Sequence, residues 1–103
     1  MNDTIKLPED CTDMRDVRRG VDATDRELMK LLERRFGYMR AAARIKIDRN
    51  VVRDEARKQE VIRNARDEAE VAGLPSDAIA TLWGDLVETS IAYELQEWDR
   101  LRS

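Results

Sequence analysis

The sequence predicts an all-α fold of three helices, long, medium and long. Three observations carry that prediction. Apolar or small residues recur in steps of three and four at 14, 17, 21, 24, 28 and 31, and the series points on to 35, 38, 42 and 45. Gly73, with Pro75 two positions on, marks a helix stop late in the chain. No strand-length alternation, internal repeat or low-complexity tract competes with the helical pattern.

The first 12 residues read as an irregular lead, with Pro8 ahead of the turn-prone Glu9-Asp10-Cys11-Thr12. Residues 13–103 then form one helical domain. Thr12 or Asp13 is placed to cap the first helix, which the steps of three and four carry from about 13 to 47. At 1.5 Å per residue that helix is about 50 Å long. A globule of this size is only about 30 Å across. The helix therefore outruns its own fold, and its apolar seam calls for a second chain, so a homodimer is expected. Asp48-Arg49-Asn50 breaks the pattern. Asp54 caps a second helix, about 54–71, carrying Val61, Ile62, Ala65 and Ala69. The third starts near Ser76 and runs to about 101, with Ile79, Leu82, Trp83, Leu86, Val87, Ile91, Leu95 and Trp98 on its apolar side.

Composition narrows the chemistry. The chain has 103 residues and no histidine, which removes Ser-His-Asp and Cys-His catalysis and most zinc sites. Its glycines are scattered at 20, 37, 73 and 84, so no phosphate-cradling loop is present. An enzyme with this composition works without metal, nucleotide or covalent nucleophile, and no cofactor is expected. The lone Cys11 cannot form an internal disulfide, which points to a reducing cytoplasm. No apolar run approaches the roughly 18 residues of a membrane span, and the N-terminus lacks the apolar region of a signal peptide.

The net charge of −3 is a cancellation. Residues 15–66 hold 16 Lys/Arg against 9 Asp/Glu, whereas residues 67–103 hold 2 against 9. Acids interleave the basic half and aromatics make up only 5%, which argues against nucleic-acid binding. The informative charges are those on apolar faces. Arg35 lies within about 20° of Leu28 and Ala42 around the first helix, and Lys46 lies about 20° beyond it, roughly 16 Å away along the axis. Arg18 points about 100° away from Arg35 and is free to serve a neighbouring chain. Arg57 stands one turn before Val61 at the edge of the second helix's apolar face. On the third helix Ser90 and Glu94 continue the stripe of Trp83, Val87 and Trp98. Burial there favours the neutral form of a carboxyl unless it is paired. Several seam cations with one acid are under-neutralised, and a small dicarboxylate would complete the set. Pattern alone leaves two readings open, a small-dicarboxylate site and a helical interaction module.

The stretch Pro8 to Thr12, then Val17-Arg18, Asp22, Asp25, Leu32, Arg34-Arg35 and Ala42 to Lys46, resembles the all-helical chorismate mutases. Within them it is most similar to the small branch that includes isochorismate pyruvate lyase. Val52-Arg53-Asp54-x-x-Arg57 resembles the second-helix motif of these enzymes and Ser90-x-x-x-Glu94 the third-helix motif. The resemblance covers about 8–101. It implies an intertwined homodimer of three-helix chains with two equivalent pockets, Arg18 reaching into the partner's pocket. It also implies that Arg35, Lys46 and Arg57 bind the two substrate carboxylates, and that Lys46 and Glu94 hydrogen-bond the ether oxygen of the breaking C–O bond. Asp54 and Ser90 would place the ring and its hydroxyl. The implied reaction is the rearrangement of chorismate to prephenate in the shikimate pathway. Elimination of pyruvate from isochorismate is the sibling reaction, and a non-catalytic dimerisation module is a further alternative.

Two positions depart from the family pattern. Many mutases carry Gln where this chain has Glu94, and a carboxyl donates to an ether oxygen only with its proton on, so turnover is expected to fall as pH rises. Lys58 stands where bacterial mutases usually have a hydroxyl-binding Glu, which leaves the lyase reading open. The lyase branch, however, normally has a Pro-containing loop before the position of Arg57, where this chain reads Val51-Val52-Arg53-Asp54. The mutase reading is therefore the one expected here.

Overall fold

The computed structural model describes residues 4–103. Among these residues it forms α1 (Met14–Ile45), α2 (Glu55–Ala72) and α3 (Ser76–Leu101), with 3-10 turns at Pro8–Asp10 and Arg49–Val51 and no strand. The all-α class and the long-medium-long order follow the sequence pattern. The chain divides into two compact units, one ending at Arg35 and the other beginning at Phe36, and α1 contributes to both.

In the first unit the lead is ordered by local hydrogen bonds. Pro8 opens the 3-10 turn with its φ already set, and the Cys11 N–H closes it on the Pro8 carbonyl at 3.3 Å. Asp13 caps α1, its Oδ1 accepting from the Asp16 N–H at 2.9 Å. Asp16 reaches back, accepting from the Thr12 N–H at 3.1 Å and from the Lys6 ammonium at 2.9 Å. The Lys6 hydrogen bond, helped by Thr12, holds the Asp16 carboxyl down at about 2. Beyond this anchored start the seam residues Met14, Val17, Val21, Leu28 and Leu31 are all exposed in the single chain.

In the second unit α2 packs on α3. Val52, Val87 and Ile91 form the buried centre, flanked by Val61, Leu95 and Trp98. Small residues at Ala65, Ala69 and Ala80 let the two helices approach closely. Asp54 caps α2, accepting from the Arg57 N–H at 2.9 Å. Gly73 ends it at φ 72°, and the Leu74 N–H bonds back to Ala69 at 2.8 Å, the arrangement that satisfies a helix's last carbonyls.

Two boundaries differ from the sequence expectation. The first helix ends at Ile45, two residues early, because the Lys46 carbonyl is taken by Trp98 of α3 and by Arg102 just past its end, and Asp48 caps the turn that follows. Leu82, expected on the apolar side of α3, is 53% exposed. It lies about 140° around the helix from Val87, away from the face that packs on α2.

Candidate functional site

The two buried polar side chains of the candidate site stand on α3. The buried stripe that packs the core through Val87 and Ile91 also carries Ser90 and Glu94, the two polar residues buried among the described ones. Glu94 is 4% exposed. A carboxylate so deeply buried needs a partner, and the ammonium of Lys46 supplies it at 2.8 Å from Oε2. The ammonium approaches off the hydrogen-bonding direction. Oε2 is consequently buried with no donor aligned on it among the described residues. Lys46 donates instead to the Val52 carbonyl at 3.3 Å. A cation and an acid thus meet in a partly dry setting, with capacity left for a further polar group.

Lys46 is also fixed at its backbone. Its carbonyl accepts from the Trp98 indole N–H at 3.0 Å and from an Arg102 Nη2 at 2.8 Å. The Arg102 guanidinium stacks over the Trp98 ring at 4.1 Å. These contacts were invisible to the helical pattern, which read Trp98 as apolar filling and gave Arg102 no role. Their one sequence signal is spacing, since 94, 98 and 102 follow each other at one helical turn.

The Ser90 hydroxyl, one turn before Glu94, donates to the Leu86 carbonyl of its own helix at 2.7 Å. The Asp54 carboxylate is occupied as the cap of α2. Arg57 sits on the first turn of α2 and its guanidinium pairs with Glu60 of the same helix. Its side chain is 63% exposed, so it is further from the apolar boundary than its spacing suggested. Arg18 is exposed and Arg35 half-buried, both on the part of α1 that belongs to the first unit. Within the second unit the structure therefore brings Lys46 and Glu94 together, while Arg57 and Asp54 are held by partners on their own helix.

A second charged cluster surrounds Glu88. Arg53 grips its carboxylate with two N–H groups at 2.8 and 2.9 Å, and Lys58 donates to it at 2.7 Å. The Arg53 and Lys58 hydrogen bonds hold the Glu88 carboxyl down at about 2. Lys58 is thus committed to an acid of α3, a partnership its position in the sequence did not reveal.

A hollow of about 450 Å³ lies in the first unit between the lead and α1 and includes Leu7, Cys11, Val17 and Val21 in its lining. None of the expected site residues lines it. Among the described residues no group of three His, Cys, Asp or Glu side chains could hold a metal ion, and no helix is long and apolar enough to cross a membrane.

Residues 17–95 match the family model described as chorismate mutase type II. The isochorismate pyruvate lyase of Pseudomonas aeruginosa is 29% identical over 98 residues, covering 95% of this chain and 97% of that protein. The matched span includes Lys46, the α2 motif and Glu94. With more than half its length matched, the chain belongs to the chorismate mutase type II family.

Proposed function

We propose that this chain converts chorismate to prephenate. The observation that carries the reading is the Lys46–Glu94 pair, an ammonium 2.8 Å from a buried carboxylate whose oxygen has no aligned donor. The rearrangement is unimolecular and needs no nucleophile, metal or external base. A catalyst for it has to hold a chair-like conformer and stabilise negative charge growing on the ether oxygen. Lys46 donates to that oxygen, and Glu94 donates with it when it carries its proton. Arg35 and Arg57 bind the carboxylates through their planar forks, with Lys46 contributing charge. For this, Arg57 exchanges its exposed pairing with Glu60, which costs little because surface ion pairs are worth about 0–1 kcal/mol. Ser90 and Asp54 border the ring.

The working form in this reading is a homodimer in which Arg18 enters the partner's site. The exposed seam of α1, from Met14 to Leu31, supports it, since a helix this apolar along one edge gains by being covered. The chain acts in the cytoplasm, on a substrate of the shikimate pathway.

A second reading has specific support. The near full-length similarity to an isochorismate pyruvate lyase favours elimination of pyruvate from isochorismate. That reaction breaks the same kind of ether C–O bond on a ring dicarboxylate and asks the same charges of the site. Lys at position 58, paired with Glu88, stands where bacterial mutases have the carboxylate that serves the substrate hydroxyl.

Turnover by single-site variants tests the assignment. Arg35→Ala abolishes turnover of the preferred substrate while far-UV helicity stays at wild type; full activity in that variant refutes the site. Glu94→Gln, which donates at any pH, broadens the pH range of turnover, and an unchanged pH dependence removes Glu94 from the ether oxygen.

A further inference from the structure

We infer that Arg102, together with the indole N–H of Trp98, is a positioning element for Lys46. This rests on the proposed function, because it gives a purpose to holding that one lysine still. A helix leaves its last carbonyls without intrahelical partners, and α1 ends at Ile45. The Ala43 carbonyl in its last turn, and that of Lys46 just beyond it, receive side-chain donors from Trp98 of α3 and from Arg102 at the end of α3 rather than a glycine cap. Arg102 spreads its fork, Nη1 to the Ala43 carbonyl at 3.1 Å and Nη2 to the Lys46 carbonyl at 2.8 Å. Trp98 adds its N–H to the same Lys46 oxygen at 3.0 Å, and the guanidinium lies over its ring.

The residue gripped this way is also held at its other end, where Glu94 faces the ammonium and Val52 accepts from it. Glu94 and Trp98 on one stripe of α3, with Arg102 just past its end, therefore hold both the backbone and the charge of Lys46. A lysine has a long flexible stem, and holding it in one rotamer loses side-chain entropy worth up to about 2 kcal/mol. Fixing the carbonyl from α3 sets where that stem starts, so Glu94 meets the ammonium without a search. Arg102 acts through Lys46 and has no contact with substrate in this account.

The test uses Arg102→Ala and Trp98→Phe, the second keeping an aromatic ring while removing the N–H donor. For each, kcat and KM for chorismate and isochorismate are measured with far-UV helicity and the side-chain 1H–15N resonance of Lys46. Both variants are expected to lower kcat, by about 10- to 100-fold for Arg102→Ala, with KM within about twofold, as for a loss confined to the transition state. Helicity stays at wild type and the Lys46 resonance moves while those of Lys6, Lys30 and Lys58 do not. Unchanged kcat in both variants, or a loss that tracks helicity with the Lys46 resonance unmoved, overturns the inference. A wild-type chain inactive on both compounds refutes the proposed function instead, and the resonance then decides by itself whether Arg102 places Lys46.

Discussion

Lys46→Ala removes the ion-pair partner that Glu94 has among the described residues, and the cost can be worked from the geometry. Two unit charges 2.8 Å apart attract by about 6 kcal/mol at an effective dielectric of 20, before the cost of desolvating them is subtracted. Breaking a buried pair from one side typically costs about 3–5 kcal/mol. Here the lysine side chain is 30% exposed, so water recovers part of that, and about 2–3 kcal/mol is expected. Glu94→Gln is milder, at about 1 kcal/mol or less, because the amide keeps the shape and leaves no buried charge. In the double variant the alanine no longer strands a carboxylate. It should therefore lose about 1–2 kcal/mol less than the sum of the single variants. Urea unfolding at one fixed protein concentration measures all four chains, since association would otherwise shift the midpoints. A Lys46→Ala cost below about 0.5 kcal/mol, or strictly additive effects, would refute the claim that the two groups share a partly dry site.

Three further outcomes follow from the structure. The Glu88 carboxyl is held at about 2 by Arg53 and Lys58, against 4.5 for the free group, so its tether to α2 is fully present above about pH 4.5. It is lost as pH falls toward 2, and melting curves of wild type and Glu88→Gln should separate above pH 5 and converge near pH 2. Asp54→Ala removes the cap of α2 and should destabilise the fold by about 1 kcal/mol in urea unfolding, while Asp54→Asn keeps most of the loss from appearing. Gly73→Ala meets no atom within 4 Å, yet it forces a side chain to φ 72°, so a loss of about 1 kcal/mol from backbone strain alone is expected in the same assay.

Much of the fold was legible because its signals are local. Asp54 and Gly73 mark helix ends through bonds within a few residues, and the structure has α2 and α3 within a residue of the expected limits. The end of α1 was misplaced because tertiary donors decide it. Nothing within four residues of Lys46 announces that Trp98 and Arg102 take its carbonyl. Leu82 was misassigned because apolar residues surround much of α3, and only packing against α2 selects the buried stripe.

The site divides in the same way. Lys46 and Glu94 stood out as charges on apolar faces, and the structure pairs them. Which other polar groups remain available was not legible, since Asp54 is taken by the α2 cap and Ser90 by the Leu86 carbonyl. The partnership of Lys58 with Glu88, 30 residues apart, likewise needed the helices to be packed first.

The most direct test of the central claim is the identity of the product. Purified protein is incubated separately with chorismate and with isochorismate, and the products are identified by chromatography and NMR. The account predicts prephenate from chorismate. Salicylate and pyruvate from isochorismate, with chorismate untouched, would contradict the mutase assignment in favour of the lyase, and no turnover of either compound would contradict a catalytic role for the Lys46–Glu94 site.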